Sequence, residues 1–367
     1  MRFCKKCLMP DTRPETLFND EGVCQACLNS EKRQEIDWEK RGEELRKLCD
    51  KYRRDDGYYD CLIPVSGGKD SHFQVYMMKE EMSMNPLLIT VGDPFTKSQA
   101  GASNFRNLGD AFGCDHILYN ISIPLFKKVT RTAFEEFGEP LKYLETAIYT
   151  VPFKMAIKLG IPLVVCGESE YQYGSSNKLI PTINDYISQR FRRIDLDFWL
   201  QKGIPLKELN AIVPPSGKEE PYVITLSYFK LWSSTSHLAI AKKYGFRDLH
   251  HEWKREGYIE DFEQIDSLGY LVHLWLKYPK FGFQRTSDIV SRRIRDGLLD
   301  LNEGKKLIRK NDPKLDQLSM DDFIELLGYT PKQFWDVVEK YWNREIFNKI
   351  DGIWKLKESV YEKFMKI

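Results

Sequence analysis

Six consecutive residues, Ser66-Gly67-Gly68-Lys69-Asp70-Ser71, concentrate two glycines, two hydroxyls, a lysine and a carboxylate. The apolar run Cys61-Leu62-Ile63-Pro64-Val65 precedes them and His72-Phe73-Gln74-Val75 follows, which predicts a strand, a Gly-rich turn and a helix start. Adjacent glycines let backbone N–H groups approach an anion, the serines add donors, and the helix start adds positive dipole. Phosphate is the expected guest. The spacing is not that of the Walker loop, which places four residues between its first Gly and the Gly-Lys-Ser/Thr end.

A second constellation is Cys4-Lys5-Lys6-Cys7 with Cys24-Gln25-Ala26-Cys27. Each pair lets two thiolates hold one ion from a tight turn, and two pairs supply the four sulfurs of a closed tetrahedral site. Such a site leaves no position for substrate. Its expected work is to hold a segment without its own core, as structural zinc does. Further candidates sit where strands should end: Thr90, Gly92 and Asp93 after one apolar run, Gly167 and Glu168 after another, with Glu170 a weaker acid of the same kind. Glu168 could reach Mg2+ or orient a nucleophile. Arg285, Arg292, Arg293 and Arg295 put guanidinium forks around a helix start, suited to phosphate or carboxylate. His237, His250 and His251 lack spaced partners and read as structural. Cys166, in a buried strand, matters only for sulfur transfer.

These residues need a scaffold, and apolar runs near 61–65, 86–91, 115–119 and 162–166 alternate with helical patterns near 71–82, 98–112, 124–137 and 146–159. That alternation predicts an α/β fold with a doubly wound parallel sheet, whose ligands collect at the carboxyl ends of the strands. The expected organisation is a zinc knuckle over 1–30, a linker helix over 31–55, a nucleotide-binding domain over 56–180 and a mostly helical substrate-binding and assembly region over 181–367. Trp335, Trp342 and Trp354 in that last region could pack the core or form a partner interface, and core packing is favoured. With 367 residues and 42% hydrophobic content there is material for more than one folded unit. Fifty-five Lys and Arg against 54 Asp and Glu leave a net charge of +1, which disfavours a nucleic-acid partner. No apolar h-region or membrane-length span is apparent, so a soluble, cytoplasmic protein with no membrane partner is expected.

The Ser66–Ser71 loop resembles the PP-loop of ATP pyrophosphatases, enzymes that split ATP between its α- and β-phosphates. The resemblance implies that Ser66, Gly67, Gly68, Asp70 and Ser71 hold the pyrophosphate portion of ATP, with Lys69 at a variable position. Asp70 would either hold the loop or contact Mg2+, and loop-holding is favoured. Adenosine is expected near Thr90, Gly92 and Asp93. The Cys4-to-Pro14 segment, Phe18-Asn19-Asp20-Glu21-Gly22-Val23-Cys24, the loop itself, Gly167-Glu168 with Tyr173-Gly174, Ala241-Lys242-Lys243-Tyr244-Gly245-Phe246, and Lys280-Phe281-Gly282-Phe283 before Arg285 and Asp288 together resemble the N-acetyl sugar amidotransferases of WbpG/PseA type. This resemblance implies conversion of an acetamido group to an acetamidino group on a sugar, free or nucleotide-linked, in lipopolysaccharide O-antigen or pseudaminic acid pathways. It implies Asp70, Glu168, Arg285 and Arg293 at the reacting centre, ATP, Mg2+ and structural Zn2+ as cofactors, a HisH-like glutaminase as the ammonia source, and a HisF-like protein in the same pathway. The competing expectations are a PP-loop tRNA thiolation enzyme and a zinc-ribbon scaffold that no longer turns over ATP.

Overall fold

A computed structural model describes residues 1–167, 170–215 and 220–367, and of Glu170 the backbone alone. Five short strands form one parallel sheet: β1 (Cys61–Pro64), β2 (Pro86–Gly92), β3 (His116–Asn120), β4 (Leu163–Cys166) and β5 (Tyr222–Thr225), in the order β3-β2-β1-β4-β5. β1, β2 and β4 read as near-continuous apolar runs because helices cover both faces of the sheet. After β3 the chain crosses back to the far side of β1, where Leu62 pairs with Val164 of β4. The gap between the ends of β1 and β4 is therefore the topological switch point, and both Gly-containing loops leave from it.

β5 lies beyond residue 180, in the stretch expected to be mostly helical, so the sheet extends past the predicted boundary. Four residues, Tyr-Val-Ile-Thr, are too few to show a period, although their β-branched character suits a buried strand. The predicted helix over 71–82 begins earlier, at Lys69, and after Tyr76 loosens into wider turns over Met77–Glu81. Two helices, Gln25–Lys32 and Trp38–Tyr52, occupy the linker region. An antiparallel hairpin, β6 (Phe347–Ile350) and β7 (Ile353–Leu356), lies near the end of the chain, and its Trp354 stacks on Trp342 at 5.5 Å. Trp335 packs edge-on against Trp275 but is 41% exposed, and Trp342 and Trp354 are half-buried, so these three rings lie at the edge of the core rather than inside it as expected.

The later half of the chain is stitched onto the strand ends of the sheet. Lys97 bridges Ser267, Ser98 Oγ donates to Ile265 O at 2.5 Å, and Thr96 donates to the Asp322 carboxylate. The Gln99–Phe112 helix meets this segment so closely that a Cβ on Gly101 would lie 2.7 Å from Asp266 Cα, which demands glycine. The knuckle docks on the same half: Leu8 shares a buried cluster with Val290, Ile308 and Phe364, and Arg13 pairs with buried Asp288 at 2.8 Å. Among the described residues no helix is long and apolar enough to cross a membrane.

Candidate active site

Gly67 takes φ +93°, a conformation open to glycine, and its Cα faces the Phe105 backbone so closely that a Cβ would sit 3.1 Å away. The turn is tied by its own hydroxyls: Ser66 N donates to Ser71 Oγ at 2.9 Å, and Gly68 N to Ser66 Oγ at 3.3 Å. No side chain caps the Lys69–Tyr76 helix. Its first-turn N–H groups lack helical acceptors and are available to an anion.

Behind the cradle lies a buried charge network. Lys69, only 3% exposed, donates to Asp70 Oδ2 at 2.8 Å and lies 3.2 Å from Glu263 Oε1. Burial alone would lower the Lys69 pKa, but Asp70 and Glu263 outweigh it and hold the ammonium charged. The other Asp70 oxygen takes His237 Nδ1 at 2.6 Å. His237 is fully buried, stacked on Phe73 at 3.8 Å, and burial lowers its pKa. A neutral imidazole donating from Nδ1 fits, since Ser233 N approaches Nε2 from the other side at 3.4 Å. Asp70 thus spends both oxygens on protein donors, the geometry of a loop-holding carboxylate, and no Mg2+ step is assigned to it. Glu263 takes Ser234 Oγ at 3.1 Å in addition to Lys69, Arg285 and Arg292. Burial would raise its pKa, yet Arg285, Arg292 and Lys69 hold it well below the usual carboxylate range.

In front of the cradle a cavity of about 700 Å³ runs along the strand ends. Ser66, Asp70, Ser71, Thr90, Gly92 and Asp93 line one side. Thr90 Oγ1 donates to Val65 O at 2.6 Å, so it ties β2 to the loop. Gly92 has no room for a Cβ, which would meet Asn120 Oδ1 at 2.4 Å. Asp93 accepts from Lys97 at 2.8 Å and Ser267 at 3.2 Å, pinning the strand-end turn to the later half of the chain. Gly167 lines the same cavity, where a Cβ would lie 2.2 Å from Gln74 Nε2 and 2.7 Å from the Trp232 ring. Cys166 lies beside it, its thiol pushed up to about 12 by burial. Gln264, Asp266, Ser267 and Tyr270 complete the rim. Asp266 is pushed up to about 6 by burial. Glu168 lies outside the described residues, as does the Glu170 side chain.

The arginine-rich helix spans Arg285–Arg295, and its charges divide by face. Arg285 and Arg292 turn to Glu263, whereas Arg293 turns to Glu260 and is not among the residues lining the cavity in front of the cradle. Sequence reasoning leaves Glu263 unnamed, reads His237 as structural, and names Arg292 only among the guanidinium forks. Only the helical spacing of Arg285, Asp288, Arg292 and Arg295 marks one common face. His250 is exposed near Asp261, away from the cavities.

Cys4, Cys7, Cys24 and Cys27 are all buried, and their sulfurs lie within 4.8 Å of one another. Cys4 and Cys27 Sγ are 3.7 Å apart, and Cys7 and Cys24 Sγ 3.5 Å. Four thiolates about 2.3 Å from one tetrahedral ion lie at about this separation. A four-iron cluster, which takes one thiolate per iron, spreads its ligands more widely. The donor set fits a single ion.

Residues 243–361 match the family described as LPS biosynthesis protein WbpG-like, C-terminal domain. An uncharacterized protein of Methanocaldococcus jannaschii is 23% identical over 302 residues, which cover 82% of this chain and 90% of that protein. Among solved structures, the U34-tRNA thiolase NcsA from Methanococcus maripaludis, with its 4Fe–4S cluster, aligns over 100% of this chain and 97% of its own at 13% identity and a TM-score of 0.33. The NH3-dependent NAD synthetase from Campylobacter jejuni aligns over 57% and 93%, at 13% identity and a TM-score of 0.31. The matched residues 243–361 supply Glu263, the cavity rim and the arginine helix, so this segment of the chain is similar to the WbpG-like C-terminal domain.

Proposed function

We propose that the protein is an ATP-dependent, AMP-forming amidotransferase that converts an acetamido group of a sugar to an acetamidino group, with ammonia as nitrogen donor. One observation carries this reading: the WbpG-like segment and the phosphate cradle wall a single cavity, with Gln264, Asp266, Ser267 and Tyr270 facing Ser66, Ser71 and the strand ends. An amide carbonyl is a poor electrophile with a poor leaving group. Attack of its oxygen on the ATP α-phosphorus would release pyrophosphate and give an O-adenylated imidate. Ammonia would then add to the imidate carbon, lose a proton, and expel AMP. The residues in place can bind and orient: Gly67, Gly68 and the helix start would receive phosphate oxygens, while Lys69, held by Asp70 and Glu263, supplies fixed positive charge behind them. The knuckle would carry zinc, whose contribution is structural.

Sulfur transfer to tRNA is the second reading, and Cys166 favours it by lining the cavity. A thiol at about 12 is protonated at neutral pH and is a weak nucleophile, which argues for nitrogen rather than sulfur. The test incubates the purified chain with Mg-ATP, ammonium and a panel of acetamido sugars, and reads AMP, pyrophosphate and sugar mass. A product lighter by the difference between an oxygen atom and an NH group supports the proposal. AMP release only with tRNA and a sulfur donor, abolished by Cys166→Ser, would reject it. A glutaminase partner is part of the proposal, and its addition should let glutamine replace ammonium.

A further inference from the structure

A second, smaller cavity of about 40 Å³ lies between the knuckle and the phosphate loop. Arg13 reaches it from the knuckle, Arg33 from the segment after the knuckle, and Arg285, Arg292 and Arg295 from the arginine helix. We propose that this cavity is a second anion site, which takes a phosphate or carboxylate group of the acceptor molecule while ATP occupies the large cavity. The word acceptor rests on the amidotransferase reading; the anion site itself does not.

Size and charge carry the inference. A water needs roughly 10–15 Å³ of such space, so the cavity suits one small anion with its hydration and excludes a nucleotide. Among the described residues, five guanidinium groups line it against the carboxylates of Asp70, Asp288 and Asp296. Glu263 is shared by Lys69, Arg285 and Arg292, Asp70 also takes Lys69, and Arg13 is matched by Asp288. Arg295 points to Cys7 Sγ at 3.6 Å. Arg33 forms no salt bridge among the described residues: its hydrogen bond goes to the Ser30 hydroxyl at 3.4 Å, and burial lowers its pKa, which the Asp296 carboxylate only partly offsets. An anion in the cavity would relieve that cost, and guanidinium forks from several directions suit tetrahedral or trigonal oxyanions.

The site is distinct from the ATP phosphate cradle. Ser66 and Ser71 line the large cavity and not this one, while Asp70 and Trp232 line both. The Asp70 carboxylate stands between the two spaces and keeps one run of phosphates from crossing. An acceptor anchored here by its anion would present its neutral acetamido group at the shared wall, toward the activated nucleotide.

The experiment needs no turnover. The full chain is saturated with Mg2+ and α,β-methylene-ATP, which resists cleavage, and titrated by calorimetry with inorganic phosphate and, separately, acetate. One of the two anions should bind, and the tighter one names the acceptor's group. Arg33→Gln, which breaks no salt bridge among the described residues, should weaken that anion by roughly tenfold, Arg33→Lys by less, with nucleotide affinity unchanged in both. Binding of neither anion to the nucleotide-saturated chain would overturn the proposal, as would displacement of the anion by nucleotide or equal affinity in Arg33→Gln. A chain that binds the anion but never forms amidine refutes the amidotransferase reading and leaves the site intact. A chain that forms amidine but passes no anion test does the reverse.

Discussion

Replacing Glu263 by Gln preserves shape and removes one negative charge from the centre of three cations. In the native protein Oε1 accepts from Lys69, Ser234 and Arg292, and Oε2 from Arg285, at a site 4% exposed. Gln keeps one acceptor oxygen but turns an NH2 toward a guanidinium, so one charge-assisted bond is lost outright and the others weaken. Such bonds are worth about 1.5–3 kcal/mol each, and breaking a buried ion pair from one side costs about 3–5 kcal/mol. We expect a loss of about 3–5 kcal/mol against a total stability of about 5–15 kcal/mol, read as a lower urea midpoint with little change in slope. Glu260→Gln is the control. Glu260 answers Arg293 where Glu263 answers three cations, its Oε2 has no hydrogen-bond partner among the described residues, and burial raises its pKa, so removing its charge should cost less than at Glu263. The Glu263 carboxyl is held below its usual value near 4.5, so its contribution is complete above that pH and disappears as pH falls toward the folded-state value. The difference between native and Glu263→Gln chains should therefore shrink below pH 4.5. A Glu263→Gln chain no less stable than Glu260→Gln at neutral pH would refute the argument.

Other consequences are as direct. Asp312 is pushed up to about 8 by burial, Ser287 and its own backbone N–H only partly offsetting this, so the folded state holds its proton where the unfolded state has lost it. That contribution is full below pH 3.8 and fades as pH rises to about 8, so Asp312→Asn should flatten the fall in melting temperature between these values. Gly167→Ala must displace Gln74 and the Trp232 ring, costing about 1–3 kcal/mol and weakening ATP-analogue binding measured by calorimetry. Cys24→Ser should abolish binding of one ion per chain, followed by metal analysis and by cobalt absorption, and expose the knuckle to protease. If the metal content persists in that variant, the four-sulfur assignment fails.

Much of this architecture was legible because it is local. The strand, turn and helix around Ser66–Ser71 are contiguous, and each Cys-x-x-Cys pair declares itself within four residues. What the sequence concealed was distant pairing. His237 meets Asp70 across 167 positions, and nothing near either residue announces the other. Arg292 and Arg293 are neighbours in sequence, but a helix turns about 100° per residue and sends one to Glu263 and the other to Glu260. β5 escaped because four residues, three of them buried, carry no period of their own.

Asp93 and Ser267 meet across the mouth of the large cavity although 174 positions separate them, and the tight seam at Gly101 closes the same joint. A nucleotide held there would act as mortar between the two halves of the molecule, because its binding energy adds to the stability of their junction. Cutting the chain ahead of the WbpG-like segment would leave a half-walled vessel rather than a smaller enzyme. Loading with a nucleotide analogue should slow proteolysis far along the chain, at the 264–270 rim, as much as at the loop that grips the phosphates.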